Sequence, residues 1–135
     1  MNLGMTGSRN GITAKQLSWM HKQLSNANVL HHGACIGADE EAHHAAVELG
    51  LEVFVHPPTD TSRMMALQPE QRVLFYPPKP YLDRNRDIVD MSERMLAFPD
   101  GPERPNGGTW YTIKYAVSQG KPVDICYPNG HIEYR

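Results

Sequence analysis

Gly33-Ala34-Cys35-Ile36-Gly37-Ala38-Asp39 follows a short apolar stretch, Ala27 to Leu30, and leads straight into the alanine-rich sequence Ala42-His43-His44-Ala45-Ala46. A brief apolar run, then glycines, then an apolar face at helical spacing reads as a strand turning into a helix. Asp39 is placed to cap that helix; Ala42, Ala45, Ala46 and Leu49 form its expected buried stripe, and Gly50 closes it. Alanines on that stripe let a helix lie close to a sheet. The same grammar recurs on either side. Met1 to Met5 runs into Thr6-Gly7-Ser8-Arg9, and the next helix starts with Thr13 and Gln16 as a capping box and Ile12 and Leu17 as a hydrophobic staple. Met95 to Phe98 leads through a loop to Asn106-Gly107-Gly108-Thr109 and a helix marked by Trp110, Ile113 and Val117.

Leu51 to Val55 and Pro122 to Tyr127 read as two further strands, and Asp83 opens a helix carrying Ile88 and Met91. Strands alternating with helices predict an α/β, three-layer Rossmann-like fold. Its mainly parallel sheet would have about five strands, with helices on both faces. Residues 1–135 show no repeat and no boundary, so they read as a single domain. The connection 57–82 holds Pro69, Pro77, Pro78 and Pro80, with room for a short helix around Met64 to Leu67, and its length marks it as functional or mobile.

The chain is 40% hydrophobic with a formal net charge of −2, an ordinary balance for a globular protein. That charge argues against a general nucleic-acid binder, which needs a basic face. No apolar run is long enough to span a membrane, and the first residues do not read as a secretory signal. Two cysteines, Cys35 and Cys126, make no disulfide framework and fit a cytoplasmic setting. The basic residues are unevenly spread: Arg63, Arg72, Lys79, Arg84, Arg86, Arg94 and Arg104 all fall between positions 57 and 107. Arginines on loops beside a glycine-lined crevice suit a small anion.

Four segments then converge as candidate ligand contacts at the carboxyl edge of the sheet. Gly7, Ser8 and Arg9 offer backbone N–H groups, a hydroxyl and a charge. Gly33 and Gly37 keep side chains out of the way, with Asp39 either capping its helix or accepting bonds from sugar hydroxyls. Arg84, Asn85 and Arg86 open a helix; two arginines at i and i+2 do not share a face, and Arg84 is the better placed. Gly107, Gly108 and Thr109 feed another helix N-terminus. No dinucleotide fingerprint, cofactor or metal site is expected. Of the histidines, His43 and His44 are expected on the exposed side of their helix and His32 at the mouth of the crevice. Cys35 is expected to pack beside the turn and Trp110 to join the core.

Met5-Thr6-Gly7-Ser8-Arg9, Gly33 through Asp39, Arg84-Asn85-Arg86, Ala97-Phe98-Pro99 and Gly107-Gly108-Thr109 together resemble the SLOG superfamily over roughly positions 1 to 127. That group includes the LOG phosphoribohydrolases, YpsA-like proteins and the nucleotide-fold part of DprA; the resemblance is nearest to its small stand-alone bacterial and phage members. It implies a Rossmann-like fold, a nucleotide or nucleotide-derived ligand at the sheet edge, and pairing into homo-oligomers. Two departures stand out. Ile36 replaces an arginine expected in the second motif, and Thr112 stands where LOG-type hydrolases carry the glutamate that serves N-glycosidic cleavage. The resulting expectation is capture of a nucleotide-type molecule. Its alternatives are an N-glycosidase acting on a nucleoside monophosphate with Asp39 as the catalytic carboxylate, or Asp100 or Glu103 in its place, and a single-stranded DNA module of DprA type.

Overall fold

The computed structural model describes residues 1–135. Its elements follow in the order β1 (Asn2–Gly7), α1 (Ala14–Leu24), β2 (Val29–His32), α2 (Ala38–Glu48), β3 (Glu52–Val55), β4 (Val73–Phe75), α3 (Tyr81–Met91), β5 (Arg94–Phe98), α4 (Gly108–Ser118), β6 (Val123–Cys126) and β7 (Ile132–Tyr134). One sheet contains every strand in the order β4-β3-β2-β1-β5-β6-β7, parallel throughout except for the antiparallel β6–β7 pair. The architecture is the expected α/β Rossmann-like one, with seven strands in place of about five. β4 forms inside the 57–82 connection, by pairing with β3, and β7 folds the tail back along β6. No helix forms at Met64 to Leu67; Met64 instead makes an isolated antiparallel bridge to Cys35.

Strand alternation sends neighbouring side chains to opposite layers. Leu96 and Phe98 of β5 join Leu3 and Met5 of β1 against Met20 and Leu24 of α1 and Ala38, Ala42, Ala45 and Ala46 of α2. Met95 and Ala97 join Val123 and Ile125 of β6 against Ile88 and Val89 of α3 and Trp110, Ile113 and Ala116 of α4. Trp110 is thus a core residue. Leu49 is not part of the α2 stripe: it lies at the C-cap, 45% exposed, where the helix has already ended.

The α1 capping box is formed, Gln16 N–H donating to Thr13 Oγ1 at 3.2 Å and Thr13 N–H to Gln16 Oε1 at 2.9 Å. Gln16 reaches further than its helix. Its buried Nε2 donates to the carbonyls of Pro99 and Cys126 at 2.8 and 2.9 Å, so α1 is pinned to the ends of β5 and β6. No helix is long and apolar enough to cross a membrane.

Candidate functional site

From β1 the chain winds outward through β2, and from β5 it winds the other way through β6, so their adjacent carboxyl ends mark the switch point of the sheet. Loops leaving such a point part and leave a crevice. Here it is a cleft of about 400 Å³. The end of β1 and the loop after it line it with Gly7, Ser8, Arg9 and Asn10, the β2–α2 loop adds Gly33 and Cys35, and the first turn of α2 adds Asp39. Arg84, Asn85 and Ile88 come from α3; Pro99, Asp100, Arg104, Gly107, Gly108, Thr109 and Trp110 come from the loop after β5 and the start of α4. Arg63 reaches in from the 57–82 connection.

Of the residues expected here, Gly37 and Arg86 do not line the cleft. Gly37 has φ +87°, and a Cβ there would stand 2.3 Å from the Ser8 carbonyl oxygen. Its task is to seat the β2–α2 loop on the β1–α1 loop, which Ala38 N–H fastens by donating to Ser8 O at 2.9 Å. Arg86 turns outward, its Nε donating to Tyr111 Oη at 2.7 Å on the exposed face between α3 and α4. Arg63, Asn10 and Arg104 were not anticipated as lining residues. Arg63 and Arg104 belonged to the loop arginines, and only tertiary structure aims them inward.

Arg84 is the centre of the site. It is 5% exposed and has no ion-pair partner. Its Nη1 donates to the Gly33 carbonyl and, at 3.1 Å, to the His56 carbonyl; Nε donates to Asn85 Oδ1 at 2.6 Å and Nη2 to Cys35 Sγ at 3.4 Å. All these acceptors are neutral, and the guanidinium makes no direct ion pair with a carboxylate, Asp39 feeling its charge from farther off. Gly33 leaves room for it, since a Cβ there would push the Arg84 guanidinium aside. Tyr81, at the start of α3, lies under two guanidinium groups, with Arg9 4.4 Å and Arg84 5.1 Å from its ring centroid.

Asp39 does not cap α2. The helix begins at Ala38 with Gly37 as N-cap and no side-chain cap, and Asp39 folds back so that Oδ2 accepts Cys35 N–H at 3.2 Å. Burial raises its pKa, opposed by the Arg84 charge and by backbone hydrogen bonds at Cys35 and Gly33. Desolvation likewise raises the Cys35 thiol. Asp100 also feels desolvation, but hydrogen bonds from Arg104 and Asn10 outweigh it and lower its pKa. Ser8 N–H is already committed to Phe98 O at 2.9 Å, whereas its hydroxyl accepts Asn10 N–H and keeps its own proton to give. At the far wall α4 starts behind Gly107 without a side-chain cap, leaving the first-turn N–H groups directed at the cleft. Thr112 is buried, and its Oγ1 donates to Gly108 O at 2.8 Å.

The histidines correct two expectations. His32 is fully buried rather than at the mouth, and His43 is 3% exposed rather than on the outer side of α2. They meet, His32 Nε2 to His43 Nδ1, at 2.9 Å, while His31 and His56 form a second pair at 2.9 Å. Asp39, Ala42, His43 and Ala46 follow i, i+3, i+4, i+7 spacing, and that was the available signal. No three His, Cys, Asp or Glu side chains converge as metal ligands.

No family model matches the chain. No curated protein matches it either. Solved structures do. A molybdenum cofactor binding protein from the phototrophic bacterium Rippkaea orientalis superposes with a TM-score of 0.67 at 21% identity, over 93% of this chain and 75% of its own. The protein TM1055 gives 0.64 at 18% identity, over 91% and 72%. The Moco carrier protein from Chlamydomonas reinhardtii gives 0.59 at 22% identity, over 91% and 74%. The chain therefore shares the Rossmann-like fold of these three proteins, the fold that its resemblance to the SLOG superfamily implies.

Proposed function

We propose that the cleft captures a small phosphorylated nucleotide or nucleotide-like heterocycle, for sensing or sequestration. The observation that carries this is Arg84: a buried cation, paired with no carboxylate, facing a cleft whose far wall is an uncapped helix N-terminus. Four arginines (Arg9, Arg63, Arg84 and Arg104) line the cleft against two carboxylates (Asp39 and Asp100), a local excess of +2 in a chain of net charge −2. Such a site gains most from a dianion. A phosphate on the N–H groups of Gly108 and Thr109, within reach of Arg9, the Ser8 hydroxyl and Arg84, would leave Gly33 and Asp39 to meet a sugar. Two of the structural neighbours are named for binding or carrying a molybdenum cofactor, which is in keeping with a small-molecule cleft.

The second reading is an N-glycosidase releasing a free base from a nucleoside monophosphate. What favours it is Asp39, a buried cleft carboxylate whose pKa burial raises above the usual carboxylate value while the Arg84 charge opposes the shift. What weighs against it is Thr112, which bonds its own helix and leaves α4 without a carboxylate. One experiment separates the two: incubation with a mixed nucleotide pool, then mass spectrometry of the bound and free fractions. Capture predicts an intact nucleotide enriched on the protein. Free base together with ribose phosphate, lost in Asp39→Asn, would establish the glycosidase instead.

Two further readings belong to this proposal. Leu82 and Met91 on α3 and Val117 on α4 are exposed apolar residues of one helical layer, and homo-oligomer pairing through helices is the reading kept here. Sedimentation that gives a monomer at micromolar concentration would overturn it. Cys35 and Cys126 are free and buried, which supports a cytoplasmic setting.

A further inference from the structure

We infer that His32 is a positioning residue for the cleft: with His43 behind it, it holds the turn at Ala34 from which the β2–α2 loop presents its ligand-facing groups. This rests on the anion-capture reading above.

Ala34 is the single non-glycine residue with positive φ, +62°. A left-handed alanine is an unfavourable conformation and persists where its surroundings over-determine it. The surroundings here are specific. Ala34 N–H donates to His32 Nδ1 at 3.0 Å, and Ala34 O accepts Met65 N–H at 2.8 Å. From this one turn the Gly33 carbonyl meets Arg84, the Cys35 N–H meets Asp39, and the Cys35 sulfur meets Arg84. A tilt at Ala34 would therefore move the acceptors that aim the guanidinium.

The protons along this chain are fixed by chemistry. A backbone N–H can only donate, so His32 Nδ1 holds a lone pair and its proton sits on Nε2. Nε2–H then donates to His43 Nδ1, which leaves the His43 proton on Nε2, 3.7 Å from the Glu70 carboxylate. The chain runs from an acidic residue of the 57–82 connection, through α2, to the floor of the cleft. It ends on a backbone amide, which passes no proton onward, so its role is to position and not to relay. It also cannot tolerate an extra proton: a protonated His32 would point Nδ1–H at the Ala34 N–H. The charged and titratable groups around His32 are His43 on α2, His31 beside it on β2, His56 after β3 and Arg84 on α3. His43 additionally faces His44 and Glu70. Burial, the neighbouring histidines and Arg84 all oppose charging His32, and Glu70 alone favours a charge on His43.

Two substitutions test this. In His32→Asn the side-chain oxygen replaces Nδ1 and accepts the same amide as an Asx turn; in His32→Leu no acceptor remains. Pyrophosphate and AMP are titrated calorimetrically against wild type and both variants at pH 7.5, with circular dichroism to confirm folding. At pH 7.5 the leucine variant should bind about tenfold more weakly, and the asparagine variant within about threefold of wild type. Amide exchange at Ala34 should accelerate in His32→Leu alone. Folded His32→Leu binding as wild type does, or His32→Asn failing as badly as leucine, would each overturn the positioning role. If wild type binds neither probe at millimolar concentration, the anion-capture reading falls, and this inference falls with it.

Discussion

A single guanidinium decides what the cleft can hold. Arg84 is buried with neutral acceptors on nearly every side, an arrangement costly in an empty site and favourable once an anion arrives. Arg84→Ala should weaken nucleotide binding by about 1.5–3 kcal/mol, whereas Arg86→Ala, whose side chain lies on Tyr111 outside the cleft, should leave it unchanged; calorimetry on both variants checks the contrast. Asp39→Asn keeps an oxygen for the Cys35 amide while removing a negative charge from the cleft. Under capture it should bind phosphate as well as wild type or better, measured in the same way. At this scale the sequence was informative in one direction. Gly107, at φ +111°, announces itself because a residue without a side chain suits that turn. Arg63 and Arg104 look like any other loop arginine until the fold aims them. His32 and His43 stayed hidden for a related reason: each is polar and outside the obvious apolar stripe, and the partner that makes burial tolerable lies in another element.

The elements show the same division between local and distant causes. α1 was legible because its determinants are contiguous: Thr13 and Gln16 cap it, and Leu17, Met20 and Leu24 face one way. β4 and β7 were not, since each is three residues long and β4 leaves Leu74 and Phe75 half exposed. They exist because β3 and β6 offer unfilled edges, a property of the sheet and not of their own residues. Gln16 joins both kinds of cause, capping its helix and also satisfying two strand-end carbonyls. Gln16→Ala should lower unfolding free energy by about 2–4 kcal/mol, the sum of a weakened cap and two orphaned carbonyls, read from urea denaturation. α2 should resist enlargement. Ala42 and Ala46 are fully buried against the sheet, so Ala46→Leu should cost about 1–3 kcal/mol in the same assay.

At the scale of the whole molecule, acid should be its weakness. His31 and His56 are shifted by burial from 6.5 to about 4, and His32 and His43 are lowered as well. Unfolded, these side chains take up protons near pH 6.5; folded, they refuse them. Between those limits the unfolded state binds more protons, so stability rises with pH and is lost as pH falls. Each of His31 and His56 contributes roughly 1.4 kcal/mol per pH unit across that window. Thermal unfolding midpoints should hold steady from pH 8 to 7 and drop progressively from 6.5 to 4, more shallowly in a His31→Phe, His56→Phe double variant.

The place of β1 in the middle of the sheet also governs how the molecule comes into being. Translation delivers β1 well before β5, the neighbour it needs on one flank. Until Phe98 has left the ribosome, β1 to β4 form a half-sheet whose inner edge, the future centre of the protein, stands open. Open parallel edges invite association with other chains. The switch point that later makes the cleft is, during synthesis, a seam waiting for its second half. Nascent chains halted before β5 should therefore require holding by chaperones, and those halted after β6 should not.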